Sequence, residues 1–103
     1  MKNFGYVLAT KMLVEGRHKV RFMYREEPDN EQDSGWRFFC GDEDQSYTDN
    51  PDNIAIYDIN TIIELDSDIV SLLDSPAGSA FERESEKDPF AASEDFMFDE
   101  EGN

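Results

Sequence analysis

The chain has 103 residues, of which 38% are hydrophobic and 33% charged, and its formal net charge is −16 at pH 7. This length accommodates one small domain and excludes two domains with separate cores. The strong acidity argues against a surface for nucleic acid or anionic membrane and favours a basic protein partner, although plain solvation of an acidic surface explains it more simply.

The charge is unevenly distributed along the chain. Residues 1–37 carry a balance of +1, whereas residues 38–103 carry −17. No apolar run approaches the roughly 20 residues that a membrane helix needs. The single cysteine, Cys40, and an N-terminus without an apolar leader predict a protein of the reducing cytoplasm.

The N-terminal part predicts a β-hairpin. Residues 5–14 are rich in aromatic and β-branched types, Glu15-Gly16 suits a tight turn, and residues 18–25 form a second such run. The basic residues expected on the outer face of this hairpin are Arg17, Lys19, Arg21 and Arg25. We interpret them as a solvent-exposed face, and the alternative is that they bind an acidic ligand.

A third strand is predicted after the polar, turn-forming residues 26–35. Trp36, Phe38 and Cys40 alternate with Arg37 and Phe39, so both faces of this strand carry residues suited to burial. We therefore expect the strand at the centre of the sheet.

The hydrophobic period changes after a short apolar segment at residues 54–57. From Asp58 the apolar residues follow three- and four-residue steps, and Asp66-Ser67-Asp68 resembles a second helix cap. This pattern predicts two short helices within residues 58–73, followed by a last strand at residues 79–83.

These elements predict a single α+β domain of residues 1–83, with a small antiparallel β-sheet packed against one or two short helices. Residues 84–103 are acidic, with the apolar residues Phe90, Phe96, Met97 and Phe98 set among the carboxylates. That composition predicts a flexible C-terminal tail.

The residues give little support to catalysis or metal binding. Counted against a calcium-binding EF-hand loop from Asp29, Ser34 replaces the glycine at position six and Cys40 replaces the glutamate at position twelve. A nucleophilic pair of Cys40 with His18, the only histidine, is disfavoured because a cysteine in an aromatic strand is ordinarily a buried thiol. The alternative kept open is a small hydrolase or ligand-binding enzyme with a pocket near Trp36 and Cys40.

Three segments of the chain resemble a known family. They are FMYREEPDNEQDSGWRFFCGDEDQSY, NPDNIAIYDINTIIELD and LLDSPAGSAFER, all within Tyr6 to Arg83. The family consists of small bacterial proteins, formerly a domain of unknown function, that are grouped with the immunity proteins of polymorphic toxin systems. The resemblance implies a small α+β domain that binds and neutralises a toxin without cofactor or catalysis.

For such a protein, the acidic surface predicts contact with a protein partner such as a basic toxin domain. The residues expected at this contact are Glu26, Glu27, Asp29, Glu31, Asp33, Asp42, Glu43, Asp44, Asp49 and Asp52, with Tyr47 as an aromatic anchor.

Overall fold

The computed structural model of the chain describes residues 5–92, which form a six-stranded sheet with short helices. The elements in chain order are β1 Tyr6–Thr10, α1 Lys11–Glu15, β2 Phe22–Arg25, β3 Asp33–Phe39, α2 Gln45–Asp49, a first 3₁₀ helix Pro51–Asn53, β4 Ile54–Asp58, α3 Ile59–Leu65, a second 3₁₀ helix Ser67–Leu72, β5 Ala80–Glu82 and β6 Ala91–Ala92. The α+β class predicted from the sequence is confirmed.

The strand order in the sheet is β4-β1-β3-β2-β5-β6. Strands β1 and β3 run parallel, while the other neighbouring pairs are antiparallel. The sheet is therefore mixed rather than wholly antiparallel as predicted. The expectation of a central third strand is confirmed, because β3 has two strands on one side and three on the other.

The predicted N-terminal β-hairpin is wrong, because the chain leaves the sheet after Thr10. The Thr10 side chain accepts a hydrogen bond from the backbone N–H of Leu13 at 3.2 Å, and helix α1 begins there. Such a cap satisfies a backbone donor that the helix itself leaves unpaired. The antiparallel neighbours of β2 are instead β3, with Met23 opposite Phe38, and β5.

The four basic residues expected on one outer face are also placed differently. The guanidinium carbon of Arg25 lies 5.7 Å from the centre of the buried Trp36 ring. Arg21 is half-buried, whereas Arg17 and Lys19 are exposed in the connection before β2. A single basic stripe is therefore absent from this part of the described chain.

The main core lies on one face of the sheet, which we call the helix-side face. Its buried cluster consists of Val7, Ala9, Leu13, Val20, Met23, Trp36, Phe38, Cys40, Ile59, Ile62, Ile69 and Leu73. The indole N–H of Trp36 donates to the backbone oxygen of Leu73 at 3.1 Å, so the polar atom of this large side chain is satisfied despite its burial. The prediction that Trp36, Phe38 and Cys40 share a buried face is confirmed.

The two short helices predicted within residues 58–73 are confirmed as α3 and the second 3₁₀ helix. Asp66 separates them and accepts a hydrogen bond from the backbone N–H of Asp68 at 3.0 Å, as expected of a cap. No helix within residues 5–92 is long and apolar enough to cross a membrane.

The predicted last strand is confirmed as β5, and it pairs on its far side with β6. Next to β5, the Arg83 guanidinium carbon lies 4.2 Å from the centre of the Phe90 ring. Residues 84–92, which fall within the predicted tail, thus include a short strand on the sheet edge. The remainder of that tail, with Phe96, Met97 and Phe98, lies outside the described residues.

Candidate partner-binding surface

The acidic residues expected to meet a partner belong to two loops at opposite ends of β3. The first acidic loop, residues 26–32, precedes this strand, and the second acidic loop, residues 40–53, follows it. Strand β3 has seven residues, and an extended segment of that length spans about 20 Å. The two loops therefore present separate groups of carboxylates.

Asp33, at the start of β3, is buried rather than exposed, so its expected place on the surface is wrong. One carboxylate oxygen accepts hydrogen bonds from the Gly35 backbone N–H at 2.8 Å and the Arg37 guanidinium at 2.9 Å. The other accepts from the Asp29 backbone N–H at 2.9 Å and from Arg37 at 3.0 Å. Both oxygens thus hold the first acidic loop in place.

The Arg37 guanidinium keeps the pKa of Asp33 well below its usual value, and the backbone N–H groups add to this effect while burial opposes it. Burial would lower the pKa of Arg37, but its hydrogen bonds to Asp33 and Glu26 outweigh burial and raise it. The Glu26 carboxylate accepts from Arg37 Nε at 2.6 Å and is only partly exposed. Glu26 therefore belongs mainly to this internal ion-pair network.

The remaining carboxylates of the first acidic loop face solvent. Glu27, Asp29 and Glu31 are all exposed, and none of them forms an ion pair within residues 5–92. These three residues have the placement that the sequence predicted.

In the second acidic loop, Glu43 points inward. Its carboxylate accepts hydrogen bonds from the backbone N–H groups of Cys40 and Gly41, both at 2.9 Å, and from the Thr10 hydroxyl. Burial would raise the pKa of Glu43, but these hydrogen bonds outweigh burial and lower it. Glu43 therefore ties the end of β3 to the end of β1.

Tyr47 is half-buried, and its hydroxyl accepts a hydrogen bond from the backbone N–H of Met12 at 2.8 Å. Asp44 begins helix α2 by accepting from the backbone N–H of Tyr47, also at 2.8 Å. Tyr47 thus caps the first turn of α1 and positions the second acidic loop against it.

The other acids of the second acidic loop are exposed: Asp42, Asp44, Asp49 and Asp52. Asp42 lies 3.7 Å from the guanidinium of Arg21, a distance that brings little attraction between groups facing water. Four carboxylates therefore remain available to solvent at this end of the sheet.

The face of the sheet opposite the helix-side face, which we call the second face, carries apolar side chains outside the main core cluster. On β2 and β3, Tyr24 and Phe39 stack with their ring centres 5.8 Å apart, and Phe22 lies 5.7 Å from each of them. On β1 and β4, Leu8 lies opposite Ile56. The sequence analysis expected Phe39 on a face of β3 suited to burial, but it did not predict the surface that Phe39 forms with Leu8 and Ile56.

A small cavity of about 100 Å³ opens on the second face. Its lining residues are Leu8, Ala9, Thr10, Tyr24, Glu26, Arg37, Phe38, Phe39 and Ile54. Among its charged groups, Arg37 and Glu26 already pair with each other. The cavity has the volume of a few water molecules, so it does not resemble a drug-sized ligand site.

The enzyme alternative required a pocket near Trp36 and Cys40. Neither residue lines the cavity on the second face, and His18 does not line it either. Burial raises the pKa of the Cys40 thiol to about 11, and the nearby Glu43 carboxylate also raises it. The described residues therefore contain no activated Cys40 nucleophile.

The family model described as the immunity protein Imm33 domain matches residues 7–94. The chain belongs to the Imm33 immunity protein family. No curated protein sequence matches the chain, and no solved structure does. The resemblance seen in the sequence is thereby confirmed.

The Imm33 family match covers nearly the whole described fold. The match runs from β1 past β6, whereas the resemblance read from the sequence ended at Arg83. The strands that carry the second face and both acidic loops therefore all lie within the Imm33 domain. A protein of an immunity family has a toxin as its expected partner.

Proposed function

We propose that this Imm33 protein neutralises a cognate toxin by binding it, without catalysis, in the cytoplasm. The family match over residues 7–94 carries this proposal. In it, the exposed carboxylates of the two acidic loops engage a basic surface of the toxin. The contact residues are Glu27, Asp29, Glu31, Asp42, Asp44, Asp49 and Asp52, while Asp33 and Glu43 support the loops from inside.

The arrangement of charge supports this role. Among residues 5–92, the exposed carboxylates of the two acidic loops form few ion pairs, and the whole chain has a net charge of −16. A field of one sign attracts an oppositely charged partner over a distance of about 8 Å at physiological salt. Such steering raises the rate of association more than it raises the final affinity.

The first test uses a toxin domain that we expect a neighbouring gene to encode, as the proposed function requires. Expression of that domain in a bacterial host should stop growth, and co-expression of the Imm33 protein should restore it. The purified proteins should form a stoichiometric complex whose association rate falls as salt increases. Absence of both protection and binding would overturn the proposed function.

A second test locates the electrostatic contact. The variants E27Q/D29N/E31Q and D49N/D52N remove exposed charge from the first and second acidic loops, and none of these residues forms an ion pair with another residue between 5 and 92. Each should slow association by about tenfold. The matched control E64Q/E86Q removes two exposed charges outside both loops and should leave the rate within about twofold. Equal rates for all variants would refute the acidic contact.

A further inference from the structure

The second face carries an aliphatic patch, with the exposed Ile56 at its centre, that the acidic contact does not use. Ile56 exposes 62% of its surface, and Val70 with 50% is the other large hydrophobic residue exposed to this degree within residues 5–92. Single exposed aliphatic residues are ordinary on protein surfaces, whereas neighbouring ones that share a face mark an interaction surface.

Ile56 has aliphatic neighbours on the same face, Leu8 and Ile54, which are half-buried. It lies opposite Leu8 across the β4–β1 ladder, and Ile54 lies two residues before it on the same face. Phe39 and Leu8 both line the cavity beside this patch, together with Ile54. Since β4 is an edge strand, a partner can approach the patch from the side of the sheet as well as from above.

Carboxylates border the patch at both ends of β4. Asp52 precedes the strand, Asp58 ends it, and both are exposed. The first and second acidic loops extend this border to the two ends of β3. An apolar centre with a charged rim is the usual layout of a protein interface. Its complement is an apolar patch bordered by lysine or arginine.

We infer that the β4–β1–β3 part of the second face, centred on Ile56 and Leu8, is the surface on which the toxin docks. This inference rests on the proposed function and specifies its contact surface. The toxin inserts an apolar patch between the two acidic loops, whose carboxylates meet the basic residues around that patch. Apolar contacts at the centre then set the lifetime of the complex, while the acidic rim sets its rate of formation.

Ile56→Arg and Val70→Arg form a matched pair of variants, because both replace an exposed aliphatic residue and add the same charge. Their affinities are measured by calorimetry with the purified toxin domain, carrying a substitution that abolishes its toxicity. Ile56→Arg should weaken binding by about 100-fold, mainly through faster dissociation. Val70→Arg should change the affinity by less than about threefold.

Measurements on the wild-type chain distinguish failure of the docking surface from failure of the proposed function. If wild type binds and protects while Ile56→Arg does so equally well, the docking surface is overturned and the proposed function stands. If wild type neither binds nor protects, both fall. Hydrogen exchange on the wild-type complex gives an independent measurement should the variant fold poorly, because docking should slow amide exchange in β4. Unchanged exchange there would overturn the inference.

Two other occupants of the patch are also tested without toxin. A wild-type dimer in light scattering that Ile56→Arg converts to a monomer would assign the patch to a second copy of the chain. The variant F96A/F98A tests whether the chain's own C-terminal residues cover the patch. If amide exchange in β4 is faster in this variant than in wild type, those residues cover the patch. Either result would overturn the docking of a toxin there, whereas a monomer with unchanged exchange supports it.

Discussion

Asp66 and Arg83 form an ion pair in which both side chains are almost completely buried. The same two residues bind the backbone of Val20. Asp66 accepts a hydrogen bond from the Val20 N–H at 3.0 Å, and Arg83 donates one to the Val20 carbonyl oxygen at 2.9 Å. This triangle joins three segments far apart in sequence: the connection before β2, the cap of the second 3₁₀ helix and the end of β5. It therefore fixes the helical layer relative to the sheet.

Replacement of Arg83 by methionine should greatly destabilise the protein, because it leaves the Asp66 carboxylate buried without its cation. Loss of one partner of a buried pair costs about 3–5 kcal/mol of unfolding free energy. Urea titration followed by fluorescence of Trp36, the only tryptophan, measures this loss.

The control for this variant is Asp68→Asn. Asp68 contacts the same guanidinium at 3.1 Å, but 58% of its side chain is exposed. An ion pair that faces water contributes at most about 1 kcal/mol. Equal losses for Arg83→Met and Asp68→Asn would show that burial of the Asp66 pair has no special importance.

Asp33 should make stability depend on pH. Arg37 lowers the pKa of Asp33 in the folded state, so this carboxyl stabilises the fold fully above its unfolded pKa of about 3.9. The contribution is lost as pH falls below that value towards the lower folded pKa. Asp33→Asn should therefore be less stable than wild type near neutral pH, and the gap should narrow in acid.

Unfolding free energies measured in urea between about pH 7 and pH 2.5 test this dependence. The general relief of charge repulsion in acid affects wild type and variant similarly, so their difference isolates Asp33. Glu31→Gln serves as the control, since Glu31 is an exposed acid only two residues before Asp33. A gap between Asp33→Asn and wild type that stays constant down to the lowest pH would contradict the expected role.

The parts of the fold that follow from local pattern could be predicted from sequence. Alternation of Trp36, Phe38 and Cys40 predicted a central strand with a buried face, and the helical spacing after Asp58 predicted two short helices. Helix α1 was missed because its five residues, KMLVE, include valine and leucine that also suit a strand. The parallel pairing of β1 with β3 depends on residues distant in sequence, which local patterns do not encode.

The buried charges were missed for a different reason. Asp33 lies in a run of polar residues, and aspartate is mostly exposed in proteins, so its burial could not be predicted without its partner Arg37. Sequence placed the two acidic loops on the surface, on either side of the predicted third strand, but could not show that Asp33 and Glu43 point inward. The exposure of Ile56 could not be predicted either, because an edge strand and an inner strand can carry the same alternation of apolar and polar residues.

Cys40 should resist alkylation in the folded protein. With its pKa raised to about 11, about one thiol in a thousand is ionised at pH 8, and only the thiolate reacts. Iodoacetamide labelling followed by mass spectrometry should show little modification in buffer and complete modification in concentrated urea. Rapid labelling of the native protein would instead revive the alternative of an enzyme with a pocket near Trp36 and Cys40.

Tyr47→Phe should lower stability without weakening the complex with the toxin. The variant keeps the ring but removes the hydroxyl that accepts from the Met12 backbone N–H, so it should cost about 1 kcal/mol of unfolding free energy. Urea unfolding measures this cost, with Tyr57→Phe as the control because the Tyr57 hydroxyl has no hydrogen bond within residues 5–92.

The affinity of Tyr47→Phe for the toxin shows whether the Tyr47 hydroxyl supports the second acidic loop or contacts the toxin directly. If Tyr47 acts by holding the second acidic loop against α1, the folded variant should bind toxin within about threefold of wild type. A tenfold or greater loss of affinity together with unchanged stability would instead place the Tyr47 hydroxyl in the interface. That result would return Tyr47 to the role of anchor that its sequence context suggested.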